Sequence, residues 1–241
     1  MKMKKNALAG TIAAGLIAGA GATVSSNAVA FDPSVGAGLE VSNMYLWRGV
    51  DLGAPSGGLA MVAGSLEIDS GVGFYAGTWA ASGDGGAGQE YDLYAGYAFD
   101  VTDEITVDLG VINYIYPDQD KDNEQDGFAD FSEAYVSVSG YGFGAEYYNN
   151  IAGGADGLSG YDYFNISYGY GPFGIAIGQH NFDSAAQGGD FGEDMTHLDL
   201  TYQFNDEISF TASTIVDVDD DDATRKTTLV QAMYTKSFDL Y

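Results

Sequence analysis

"HLDLTYQFNDEISFTAS", residues 197–213, decides the fold. Leu198, Leu200, Tyr202 and Phe204 alternate with His197, Asp199, Thr201 and Gln203. After a tight link at Asn205–Glu207, Ile208, Phe210 and Ala212 alternate with Ser209, Thr211 and Ser213. A period of two residues is the period of a β-strand, because successive side chains point to opposite faces. Two alternating runs joined by a short polar link make an antiparallel hairpin with one apolar and one polar face.

The same pattern extends along the chain in both directions. Alternation predicts strands over 39–48, 62–68, 91–99, 105–111, 134–138, 143–147, 164–168, 173–180, 198–204, 208–216 and 230–240, and the run 72–82 is apolar on both faces. That makes twelve candidate strands. Short links are expected at 69–71, 100–104, 139–141, 170–172 and 205–207, and long ones at 49–58, 83–89, 117–130, 149–160, 183–195 and 217–226. Strict alternation of short and long links, an even strand count and strands of about ten residues are the pattern of a transmembrane antiparallel β-barrel, with short periplasmic turns and long extracellular loops. A secreted β-sandwich binding carbohydrate through its tyrosines also alternates, but it has no reason to place every long link at one end. Aromatic residues near strand ends, as in Tyr45/Trp47, Tyr91/Phe99 and Phe164/Tyr168, suit the two interfacial girdles of a barrel.

The first thirty residues are expected to be a cleaved secretory signal: Lys2, Lys4 and Lys5, an apolar stretch to Val24, and the small-x-small site Ala28-Val29-Ala30. A membrane anchor is the competing reading, but no stop-transfer pattern follows. Residues 31–241 then form a single barrel domain. The chain has no cysteine, so neither a disulfide framework nor a cysteine lipid anchor is available. Its 35 acidic residues against 8 basic ones give a net charge of −27, which becomes −30 once the three leader lysines are removed. Nucleic acid is a poor candidate partner and none is expected, because phosphate binding needs a basic footprint.

Short motifs carry a family likeness. "VSNMYLWRGVDLG" (41–53) followed by "GFYAGTWAAS" (73–82) resembles the opening of the TorF-type porin family, proteobacterial outer-membrane proteins with the Gcw_chp domain. "FSEAYVSVSGYGFG", "YDYFNISYGYGPFGIAIGQH" and "YTKSFDL" are similar to later parts of that family, so the likeness covers most of 35–240. The resemblance implies a bacterial outer-membrane barrel and supplies no catalytic residues. One departure concerns the C-terminus: Tyr241 is out of step with the lipid-facing Leu240, Phe238 and Tyr234, which bears on recognition by the barrel-insertion machinery.

Three groups of residues carry candidate chemistry. In the barrel register, Glu40, Glu67, Asp92, Asp108, Glu133, Glu146 and Asp199 face inward, with Arg48 as the one basic residue among them. Carboxylates around a lumen attract cations and repel anions. His180 and His197 also fall on the polar face of neighbouring strands, where Asp199 is the nearest third metal ligand, although lumen histidines satisfied by water or a carboxylate are the plainer reading. The acidic loop offers Asp122, Glu124, Asp126, Asp130 and Glu133 at a spacing close to that of a calcium loop, a weak divalent site at best, and "DVDDDD" (217–222) reads as a solvated charge run.

The sequence therefore predicts a non-enzymatic, porin-like outer-membrane channel for passive diffusion of small cationic or neutral solutes, with no cofactor. Outer-membrane lipid and lipopolysaccharide are the expected surroundings. The alternative is a non-conducting structural barrel whose acidic loops gather divalent cations and lipopolysaccharide. Arg48 is expected at the top of the first strand, tying an acid of a neighbouring strand.

Overall fold

The computed structural model describes residues 31–54, 58–117, 131–154, 158–182, 193–218 and 227–241. The proposed leader at 1–30 lies outside them, as do residues 118–130 of the acidic loop and 219–222 of "DVDDDD".

Twelve strands close into one antiparallel barrel: β1 (Ser34–Ser42), β4 (Met61–Asp69), β5 (Phe74–Asp84), β6 (Gly88–Thr102), β7 (Ile105–Ile115), β8 (Phe131–Gly140), β9 (Phe143–Gly153), β10 (Asp162–Tyr170), β11 (Phe173–Asn181), β12 (Met195–Gln203), β13 (Ile208–Val218) and β14 (Leu229–Asp239). Each strand pairs with its sequence neighbours, and β1 closes the ring between β4 and β14. Closure excludes the two-sheet sandwich. It also leaves no unpaired strand edge, as a wall in lipid requires. The remaining two elements, β2 (Leu46–Trp47) and β3 (Val50–Asp51), pair only with each other.

The exterior carries the apolar face of each strand. Leu66 is 51% exposed, Ile175 46% and Leu200 53%, with Tyr91, Phe164 and Tyr168 also exposed nearer the strand ends. In water such a surface would aggregate; it is a surface for hydrocarbon with an aromatic border. Lys236 falls on the outward side of β14, where its ammonium pairs with Glu207 of the β12–β13 turn. The last residue extends the wall: the Val35 amide donates to the Tyr241 carbonyl and the Leu240 amide donates to Val35, while the Tyr241 ring stays exposed.

The composition of Gly and Tyr finds its explanation on the inner face. Tyr94 lies across Gly77 and Tyr75 across Gly96 on the paired strands β5 and β6, and Tyr135 lies across Gly110 between β7 and β8. A Cβ on Gly110 would sit 2.5 Å from the Tyr135 hydroxyl oxygen. A large ring folded flat over a glycine of the next strand covers bare backbone and fills the bore from the wall inward.

Two expectations about the wall need correcting. The first strand ends at Ser42, well short of position 48, and Tyr45 and Trp47 are buried at 2% and 6% exposure instead of facing lipid. The departure comes at Asn43. Its backbone amide still donates to the Ala232 carbonyl of β14, its side chain donates to the Val230 carbonyl and accepts from the Ala232 amide, and beyond it the chain turns into the bore. The second correction is the 83–89 link. β5 runs to Asp84 and β6 starts at Gly88, so this connection is a tight turn, with the Asp84 carboxylate accepting from the amides of Gly86 and Ala87. The two runs extend because their ladder continues past the apolar pattern, through a register shift between Ser82 and Asp84.

Candidate functional site in the barrel bore

The inward segment is a two-residue hairpin. Leu46 pairs with Asp51 and Trp47 with Val50, leaving Arg48 and Gly49 as the turn, with φ of +47° and +85°. Positive φ at both central residues is the type I′ turn, whose twist matches the flanking strands. Glycine occupies the second position without strain. It is also the only residue that fits, since a Cβ there would lie 2.5 Å from the Cβ of His197. Arginine at the first position carries a left-handed penalty of about 1–2 kcal/mol, which its side-chain contacts must offset.

Those contacts are extensive. Arg48 is 4% exposed, and its Nη1 and Nη2 donate to the two carboxylate oxygens of Glu133, both at 2.9 Å. Nη1 also donates to the Tyr161 hydroxyl at 3.1 Å. The guanidinium lies 4.3 Å from the Tyr148 ring centre, 4.4 Å from Tyr163 and 4.7 Å from Trp47. A planar, delocalised cation suits both the fork to a carboxylate and the stacking, and a lysine would supply neither. Burial alone works to lower the Arg48 pKa, but Glu133 and the surrounding phenols leave it well above the ordinary value, so the charge is permanent. Tyr114 completes the Glu133 site by donating at 2.7 Å.

Both histidines belong to this assembly. His180, protonated at Nε2, donates to the Arg48 carbonyl at 2.7 Å and accepts at Nδ1 from Tyr161 at 3.0 Å. This tautomer satisfies every partner, because the Tyr161 hydroxyl accepts from Arg48 and donates to His180. His197 accepts at Nε2 from Tyr163 at 2.8 Å and donates from Nδ1 to Asp199 at 3.1 Å, while Asn165 donates to the Tyr163 oxygen. The rings lie 5.7 Å apart, edge to face. His197, Tyr163 and Asp199 thus form a relay that ends in the protein, not at an open position. Among the described residues, no group of three or more His, Asp or Glu side chains is arranged to hold a metal.

The hairpin and the wall together fill the bore at this level. Ser42, Met61, Trp79, Asp92, Tyr114, Glu133, Tyr163, His180, His197, Ile215 and Gln231, one from each of eleven strands, are all under one-tenth exposed. Tyr148 of β9 packs against the same cluster. Towards the tight-turn end the inner face opens. Glu40, Glu67, Asp108 and Glu146 are half-buried there. Tyr94 donates to Glu67 at 3.0 Å, and Tyr75 donates to Asp108 at 2.8 Å while its hydroxyl meets that of Tyr135.

All ten inward candidates from the sequence therefore sit inside the barrel, but not as one ring. Arg48 ties Glu133 of β8, across the bore, where an acid of a neighbouring strand was expected. That same contact removes Glu133 from the calcium-loop reading: its carboxylate points into the sealed layer, and Arg48 and Tyr114 occupy it. The other members, Asp122, Glu124, Asp126 and Asp130, lie outside the described residues. Sequence reasoning missed Tyr161, Tyr163, Tyr148 and Trp47 as the walls of the arginine site. The available signal was "LWRGVD", whose Arg-Gly pair flanked by apolar residues reads equally as a turn.

This geometry defines a class: a closed transmembrane β-barrel with an internal hairpin plug held by a buried arginine. The chain belongs to the family described as "Bacterial protein of unknown function (Gcw_chp)", which matches residues 26–223. No curated protein matches it. Among solved structures, a KdgM porin aligns at 8% identity and a TM-score of 0.44, covering 86% of this chain and 99% of the porin. A NanC porin aligns at 12% identity and 0.47, covering 86% and 100%. The outer-membrane phospholipase A of Escherichia coli aligns at 11% and 0.45, covering 91% and 96%. Likenesses this distant say nothing about solute or activity, and the barrel stands on its own strand pairing.

Proposed function

We propose that this chain is a porin-like channel of the bacterial outer membrane, of the TorF type, passing small cationic or neutral solutes by passive diffusion. The conformation described is its closed form, with the β2–β3 hairpin as the constriction. The observation that carries the reading is the charge of the bore. Four half-buried carboxylates, Glu40, Glu67, Asp108 and Glu146, line the open half, and the only described arginine inside is neutralised by Glu133. Such a vestibule concentrates cations and rejects anions. An apolar exterior supports lipid and lipopolysaccharide as the surroundings, and insertion by the barrel machinery follows from that placement. The reading includes no catalysis: the Tyr163–His197–Asp199 relay is sealed from solvent, and among the described residues no serine hydroxyl bonds to either histidine.

Conductance of the purified barrel in planar bilayers, under a potassium chloride gradient, tests the proposal. Rare openings with a cation-selective reversal potential are expected, becoming frequent when residues 44–52 are replaced by a short Gly/Ser link. Anion selectivity, or silence in both proteins, overturns it. The filled cross-section at Arg48 favours a second reading, a permanently plugged structural barrel. That reading predicts a silent wild type and conductance only in the replaced protein.

A further inference from the structure

One corner of the sealed layer is not accounted for by the hairpin clamp. Glu90 and Asp92 face the bore from β6 as alternate residues on one face of the strand, each 2% exposed. Tyr45 of the hairpin segment donates to Glu90 Oε2 at 2.6 Å, and Tyr116, just beyond β7, donates to Oε1 at 3.3 Å. Asp92 Oδ1 is fully buried and accepts no hydrogen bond. The Asp84 carboxylate adds its negative charge from the β5–β6 turn. Among the described residues no cationic side chain touches this group, since Arg48 is committed to Glu133 and Lys236 is on the outer surface.

Two carboxyl groups held together away from water do not both ionise without a counter-charge. The geometry points to a bound hard divalent cation of the calcium type between Glu90 and Asp92, with the phenolic oxygens of Tyr45 and Tyr116 as neutral ligands. The donor set is oxygen only, which selects hard cations. Its two negative charges match a divalent ion, and an irregular set of carboxylate and phenol oxygens suits calcium better than magnesium, which demands near-ideal octahedral geometry. The unpartnered Asp92 oxygen then has its partner. Tyr45 couples the site to the plug, because the residue that covers the ion belongs to the chain segment that enters the bore.

Thermal unfolding of the detergent-solubilised full barrel tests this without requiring conduction. After treatment with a chelator, added calcium chloride raises the unfolding midpoint of the wild type by several degrees, and Asp92→Asn abolishes that calcium-dependent rise. An unchanged wild-type midpoint overturns the site. So does an equal rise in Asp92→Asn, which assigns the effect to the acidic loops. If Asp92→Asn fails to fold, terbium luminescence on the wild type decides. Tyrosine-sensitised emission that is displaced by calcium and lost in Tyr45→Phe with Tyr116→Phe supports the site, and emission unchanged in that double variant overturns it. A shared proton in place of the ion leaves the wild type insensitive to calcium and shows a protonated-carboxyl infrared band that calcium does not remove.

Discussion

The two halves of the bore are built from the same residue types and behave differently. At the tight-turn end, tyrosines lie flat across glycines of the next strand, and carboxylates such as Glu67 and Asp108 accept phenol hydrogen bonds while staying only half-buried. At the long-link end, tyrosines stand into the bore around an arginine, and Glu133, Tyr161, His180 and His197 are fully excluded from water. The difference comes from one insertion of chain, the β2–β3 hairpin. A carboxylate in the first half is a solvated charge that bends the field of the vestibule. In the second half the same group is a structural partner whose loss leaves a buried charge behind.

The sharpest way to break the contrast is to remove the plug: replacing residues 44–52 is expected to change conductance by orders of magnitude. Next comes the clamp itself. Arg48→Gln or Glu133→Gln should each cost about 3–5 kcal/mol, seen as loss of heat-resistant migration, because each leaves an unpaired group in a dry site. Arg48→Met combined with Glu133→Leu should recover much of that loss, which separates clamping from any role in solute choice. Gly49→Val should fall close behind the single clamp variants, since the side chain meets His197 and the left-handed turn disfavours a β-branched residue. In the open half, Tyr135→Phe should cost only about 1 kcal/mol for its lost hydroxyl contacts. Glu67→Gln should leave stability near wild type and reduce cation preference in a reversal-potential measurement.

Most of the wall was legible in the sequence because a barrel in lipid obeys one rule along its whole length. Alternation placed Val62, Leu66 and Ile68 outward and Ser65 and Glu67 inward, and the structure keeps that register. The same rule misread Tyr45 and Trp47. They continue the alternation of Leu39 and Val41, so nothing in their spacing shows that the chain has left the wall. The departure is marked only by the Asn43 side chain capping the β14 ladder, a contact between residues 187 positions apart. The tyrosine box around Arg48 was hidden for the same reason: its members come from β9, β10 and the segment before β10, and only closure of the ring brings them together.

That closure sets an order of events during assembly. The plug's anchors are Glu133, Tyr161 and His180, lying 85, 113 and 132 residues downstream of Arg48. Such distant pairings carry a large loop-closure entropy and form late. The pairing of β1 with β14 joins residues still farther apart in the chain, Gly36 with Asp239, so plug and seam are both late contacts of assembly.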